Sequence, residues 1–173
     1  QSVCQTGLDQ FGITANDIPK AFHPDTVWSY ELGGKFRLLD NKLQINGSIY
    51  QIDWSQIQVT LTIPGCGLTF VQNGGRAQSR GFEFQSQYRP IAPLTLGFQL
   101  SYTDAKYLDP VAGPKGLVPG VLPSVNVGDH FAVPALQFAG SAQYDFTVMN
   151  KDFYVRADYQ FQGGYTNPGS YGV

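Results

Sequence analysis

Leu94-Thr95-Leu96-Gly97-Phe98-Gln99-Leu100-Ser101-Tyr102-Thr103 decides how this chain folds. Side chains alternate across a β-strand, so Leu94, Leu96, Phe98, Leu100 and Tyr102 share one face. Thr95, Gly97, Gln99, Ser101 and Thr103 share the other. A helix would scatter the same apolar residues around its axis. The segment is a strand with one greasy face and one polar face.

The pattern recurs in both directions along the chain. Upstream, Trp28, Tyr30, Leu32, Gly34, Phe36 and Leu38 oppose Ser29, Glu31, Gly33, Lys35 and Arg37. Asp40-Asn41 makes a tight turn. Leu43, Ile45, Gly47 and Ile49 then oppose Gln44, Asn46 and Ser48. Near Tyr50 the alternation loses phase, with Ile52, Trp54 and Ile57 following; this predicts either a bulge or a strand that has left the slab where one face must be apolar. Phe82, Phe84, Ser86 and Tyr88 oppose Glu83, Gln85, Gln87 and Arg89, and Pro90 to Pro93 form a short turn. Downstream come Leu136 to Phe146 and, after a tight turn at Met149-Asn150-Lys151, Phe153 to Phe161. Residues 1–26, 59–78, 108–134 and 163–173 are expected to be loops, rich in Gly and Pro.

A soluble sandwich of two sheets would alternate in the same way. Three features favour a membrane barrel instead. The runs last roughly 10–14 residues, where ordinary strands last about 5–6 and a tilted membrane strand needs ~9–11. Short and long connections alternate strictly, which gathers all short turns at one end, as outer-membrane barrels do with short periplasmic turns and long extracellular loops. Aromatics on the apolar face crowd the strand ends: Tyr88, Tyr144, Phe146 and Phe153 near the short turns, Trp28, Tyr30, Tyr102, Tyr159 and Phe161 near the long loops. Such belts mark two membrane interfaces.

Composition agrees. Only 14% of the 173 residues are charged, against ~25% in ordinary soluble proteins. Net charge is −2, and the basic residues are too scattered to track the phosphates of a nucleic acid. Neither a secretory signal nor an apolar run long enough for a membrane helix is present. The expected fold is all-β: a transmembrane antiparallel β-barrel fragment of about six meander strands, with residues 1–173 forming part of one barrel domain. A membrane barrel needs at least eight strands, so the rest are expected from a longer polypeptide.

Several stretches resemble the TonB-dependent receptors. Pro24-Asp25-Thr26-Val27-Trp28-Ser29-Tyr30-Glu31-Leu32-Gly33-Gly34-Lys35 is similar to their PE-x-x-x-x-YE-x-G-x-K strand, with Asp25 in place of Glu. Tyr50-Gln51-Ile52-Asp53-Trp54-Ser55-Gln56-Ile57-Gln58 resembles Y-x-I-D-W-x-D-I-Q. Asn73-Gly74-Gly75-Arg76-Ala77-Gln78-Ser79-Arg80-Gly81-Phe82-Glu83 resembles N-A-G-x-A-x-S-x-G-x-E, with Gly74 in place of Ala. Leu100-Ser101-Tyr102-Thr103-Asp104-Ala105 matches L-S-Y-T-D-A.

The resemblance implies strands from the C-terminal half of a 22-stranded barrel in the bacterial outer membrane. The plug domain, the TonB box and the final strands are expected to lie outside these residues. It further implies active import of an extracellular nutrient, with outer-membrane lipid, the receptor's own plug and the TonB complex as partners. A plug-less porin or a barrel-anchored adhesin is the alternative within the membrane, and a soluble carbohydrate-binding sandwich the alternative outside it.

No catalytic residue, cofactor site or metal site is expected, because acid-base pairs, nucleophile motifs and phosphate loops are missing and His23 and His130 stand far apart in sequence. Glu83, Asp145 and Asp158 fall on separate strands. A disulfide between Cys4 and Cys66 suits an oxidising compartment, two unpaired loop cysteines being the other reading. Ligand selectivity is expected in the long loops, where Phe11, Phe70, Phe131 and Tyr165 could stack on a ligand or simply pack the loops. The polar face, including Glu31, Lys35, Arg37, Glu83, Gln85, Gln99, Asp145, Arg156 and Asp158, is expected to line the lumen and contact the plug.

Overall fold

The structure is a computed structural model that describes residues 14, 16, 18–62, 69–111 and 125–165. Eight strands follow in order: β1 (Thr26–Leu38), β2 (Leu43–Ser55), β3 (Gln58–Thr62), β4 (Thr69–Asn73), β5 (Arg76–Ile91), β6 (Leu94–Tyr107), β7 (Leu136–Val148) and β8 (Lys151–Gln162). Six of them form one antiparallel sheet in the order β1-β2-β5-β6-β7-β8. The remaining pair, β3 and β4, make a separate small hairpin between β2 and β5.

The turns at one end are tight, and their residues explain why. Leu39, Asp40 and Asn41 all take positive φ, and the Lys42 amide donates to the Leu39 carbonyl at 3.0 Å. Met149 and Asn150 take φ of 49° and 62° between the paired Val148 and Lys151. Two left-handed residues match the twist of the flanking strands in a two-residue hairpin. The turn between β5 and β6 is shorter than the expected Pro90–Pro93: Ile91 already pairs with Leu94, leaving only Ala92 and Pro93. The register slips between Tyr88 and Ile91, so Pro90, which has no N–H for the ladder, sits in a bulge.

One other expectation is corrected, and one open choice is settled. Residues 59–78 are not a plain loop, since they contain the β3–β4 hairpin and the first residues of β5. Pairing with β2 carries β5 upward to Arg76, beyond the point where its own apolar alternation stops. Of the two readings given for Tyr50, the bulge is excluded, since β2 pairs without a slip from Leu43 to Ser55 with both neighbours. What changes at Tyr50 is the polarity of the faces.

That change decides where the sheet sits. Below it, Leu32, Ile49, Phe82, Tyr102 and Leu136 form one register row across five strands on the apolar face. These side chains are open to the surroundings, Leu32 at 72% and Ile49 at 60% exposure. Above the row the same face turns polar on three strands, with Gln51 and Asp53 on β2, Arg80 and Gln78 on β5, and Asp104 and Lys106 on β6, while on β1 Tyr30 and Trp28 keep it aromatic and exposed. The opposite face becomes apolar at the same height, with Ile52, Trp54, Ala77 and Ala105. One uninterrupted ladder therefore crosses a boundary between two surroundings. Beneath it apolar groups face outward, as lipid requires, and above it they face inward, as water requires.

The buried side chains follow this logic. Ile57, Phe70, Ala77, Ala105, Val111 and Val125 are the buried hydrophobic residues among those described, and all lie above the boundary. They form a small core beneath the long connections. Gly74 belongs to it, because a Cβ there would meet Val59 and Val111 at 3.0–3.2 Å. Below the boundary no described side chain is buried, as expected of a sheet one layer thick.

Candidate functional site

The polar face is concave. A single trough is lined by residues of all six strands, among them Glu31 and Lys35 of β1, Asn46 of β2, Glu83 and Gln85 of β5, Gln99 of β6, Gln137 of β7 and Gln160 of β8. The ladder places Lys35, Asn46, Gln85 and Gln99 in one continuous row, with Ala139 and Gln160 completing it. Most of this wall is carboxamide or hydroxyl, groups that both donate and accept hydrogen bonds. Its acids are not brought together. Glu31 stands in the row of Tyr50 and Glu83 in the row of Ser48, two strands apart; elsewhere on this face Asp158 is engaged by Arg156 at 2.7 Å and Asp145 accepts from Gln143 at 2.8 Å. Among the described residues of this wall, no two carboxylates are paired.

The trough ends upward in an organised mouth. Tyr50 reaches across Gly81 so that its hydroxyl oxygen lies 2.8 Å from the Thr103 hydroxyl. Residues 128–135 extend the β6 ladder where β7 has stopped: the Phe131 amide donates to the Ala105 carbonyl, and the Tyr107 amide to the Asp129 carbonyl. This pairing stacks Phe131 on Tyr107, with centroids 4.3 Å apart and planes at 10°. Burial pushes the Tyr107 hydroxyl pKa up.

The segment before β1 is tied to the same structure. The Asn73 carboxamide accepts from the His23 amide at 2.7 Å and donates to the carbonyls of His23 and Gln56, both at 2.9 Å. The Trp54 indole N–H donates to Asp25 at 2.8 Å. Arg76 clamps Asp109 through Nε at 2.8 Å and a second nitrogen at 3.0 Å. That pairing raises the Arg76 pKa and holds the Asp109 carboxyl below its ordinary range.

The loop residues picked out in sequence meet different fates. Phe70 is buried in the small core and Phe131 is stacked on Tyr107, while Tyr165 is 59% exposed. His23 engages Asn73 through its backbone, and His130 Nε2 lies 3.2 Å from Asp104. Phe11, Cys4 and Cys66 lie outside the described residues, and so does any bond between the two cysteines. Among the described residues, no group of three His, Cys, Asp or Glu side chains is placed to hold a metal ion. Sequence reasoning missed Asn73, Tyr107 and Asp109, although Asn73 lies within a motif it had marked. Each acts by joining segments far apart in sequence, which periodicity does not report.

Comparison with known proteins agrees with this geometry. The chain is similar in structure to the FrpB iron transporter from Neisseria meningitidis (F3-3 variant), with a TM-score of 0.56 at 14% identity. The match covers 82% of this chain and 20% of that one, so the chain spans about a fifth of the transporter's length. At that identity the likeness is one of fold. The family model described as "TonB dependent receptor-like, beta-barrel" matches residues 6–173. The chain belongs to the TonB-dependent receptor β-barrel family.

Proposed function

We propose that these six strands are part of the wall of an outer-membrane receptor that binds an extracellular nutrient and imports it with TonB-coupled energy. The family is one of outer-membrane receptors and transporters. The observation that carries the reading is the inversion of face polarity above the Ile49–Phe82–Tyr102 row. A lipid-embedded wall with a water-filled interior calls for that inversion, whereas a soluble sandwich calls for an apolar face covered along its whole length. The outer strands β1 and β8 would pair with further strands of a larger barrel.

In this reading the wetted trough receives the plug, and the mouth formed by Tyr50, Tyr107 and Phe131 with the β3–β4 hairpin is the first surface a nutrient meets. A carboxamide wall suits both tasks, because it hydrogen-bonds a plug or a passing solute without holding either by charge.

The test uses the whole receptor in a host with and without TonB. Growth on a panel of scarce nutrients should become TonB-dependent for at least one of them. Growth indifferent to TonB, together with a large passive conductance of the intact receptor in planar bilayers, would identify a porin instead.

A further inference from the structure

Directly above the Phe82–Tyr102 pair, the outer face carries a compact group of charges. Arg80 Nε lies 3.2 Å from Asp104 Oδ2, Lys106 Nζ lies 3.4 Å from the same oxygen, and His130 Nε2 lies 3.2 Å from Oδ1. Asp104 is the most sheltered, at 14% side-chain exposure, while Arg80 is 57% and Lys106 29% exposed. One carboxylate therefore steadies two permanent cations, and the trio keeps a charge of about +1 at neutral pH. The next carboxylate on this face, Asp53, accepts from Gln51 and Gln78 and lies diagonally beside Arg80 on the neighbouring strand, two strands from Lys106. At ~7–8 Å from Arg80 it offsets part of that charge, while Lys106, ~10 Å away, is little affected.

Height matters as much as charge. Arg80 and Asp104 lie two residues beyond Phe82 and Tyr102, ~6.6 Å along the strand and ~5 Å above the boundary after tilt. Lys106 starts higher, but its stem folds back so that the ammonium reaches Asp104. The polar layer on each side of a bilayer is ~5–7 Å deep. Both cationic heads therefore lie within it, facing lipid and not the lumen. Arg76, six residues beyond Phe82 and engaged by Asp109, lies ~15 Å up and clear of that layer.

We propose that Arg80 and Lys106, steadied by Asp104, bind the phosphate of an anionic lipid headgroup in the outward-facing leaflet. Arg80 donates to Asp104 through Nε, which leaves the outer edge of its guanidinium for phosphate oxygens. Lys106 adds a point charge beside it, and the Phe82–Tyr102 stack supports the acyl chains below. The inference rests on the lipid-facing reading of this surface.

The test uses the whole receptor in neutral detergent and native mass spectrometry. It is titrated with phosphatidic acid, and with phosphatidylcholine of the same chains. Phosphatidic acid should bind the wild type preferentially, and R80A/K106A should weaken it on the order of tenfold or more without changing phosphatidylcholine. The charge-preserving R80K/K106R should keep the preference for phosphatidic acid with a smaller loss than R80A/K106A, and the higher-lying R76A should bind as wild type does. Undiminished phosphatidic acid binding by R80A/K106A would overturn the proposal. Complete displacement of the lipid by millimolar inorganic phosphate would overturn it too, by assigning the site to free anions. A spin label at Phe98 separates the two levels: silence toward lipid-soluble quenchers rejects the lipid-facing reading itself, while quenching beside undiminished binding rejects the headgroup site alone.

Discussion

Tyr50 and Thr103 stand on strands that do not touch, yet their side-chain oxygens lie 2.8 Å apart because Gly81 between them has no side chain. A Cβ at Gly81 would collide with the Tyr102 carbonyl oxygen and come within 2.7 Å of the Tyr50 hydroxyl and 2.9 Å of its ring. Glycine is needed here for close approach. Gly81→Ala should therefore destabilise the receptor by about 1–3 kcal/mol, the cost of overpacking a fitted contact. Adding Tyr50→Ala should restore only part of the loss, because the Tyr102 carbonyl is backbone and stays where it is. Equilibrium unfolding of the whole receptor in lipid vesicles measures both. Full restoration by Tyr50→Ala would show that the backbone contact does not matter.

Charge placed on the two faces of β6 should have opposite consequences. Phe98→Arg puts a guanidinium near the middle of the lipid-facing band, where the cost is about 2–4 kcal/mol. Gln99→Arg, one residue on, enters the wetted trough and should be nearly neutral. Vesicle unfolding of the two variants decides it. Equal losses would mean that both faces are packed against protein.

The small core under the long connections should fail independently of the sheet. Val111 has no exposed surface and pairs with Val125 through a two-way bridge. Val111→Asp buries a charge without a partner and should cost several kcal/mol locally. Limited proteolysis should then cut within 108–135 while β5, β6 and β7 remain protected. Cleavage spread through the strands would show that the core and the sheet fold as one unit.

Arg76 and Asp109 set a pH dependence outside the membrane. Hydrogen bonding from Arg76 lowers the Asp109 pKa below its ordinary 3.8, with its charge adding to the effect. A carboxyl whose folded pKa is depressed contributes stability above its unfolded pKa and loses it as pH falls through the folded value. The clamp should thus be intact at pH 5 and above and loosen only below about pH 4, weakly, because both groups are solvated. Carboxyl titration by NMR on the whole receptor checks this. An Asp109 that titrates at or above the ordinary carboxylate value would rule out the clamp.

The β-strands, their faces and the alternation of short and long connections were legible in the sequence for a local reason. Side-chain direction in a strand repeats every two residues, so Leu94 to Thr103 carries its own orientation wherever it is placed. The tight turns were legible at Asp40-Asn41 and Met149-Asn150, where the left-handed conformation suits Asn and a short connection needs it. The upper mouth was not. Ile52 and Trp54 looked like a lost phase because alternation records which face is greasy, without recording what lies beyond it. Only the register of β2 against β5 showed that the ladder continues unbroken and that the surroundings change at Tyr50. The Asn73 clamp, the Phe131–Tyr107 stack and the Arg80–Asp104–Lys106 group join residues up to 50 positions apart. Such contacts depend on which strands stand side by side and at what offset, and that is set by the ladder of the whole sheet.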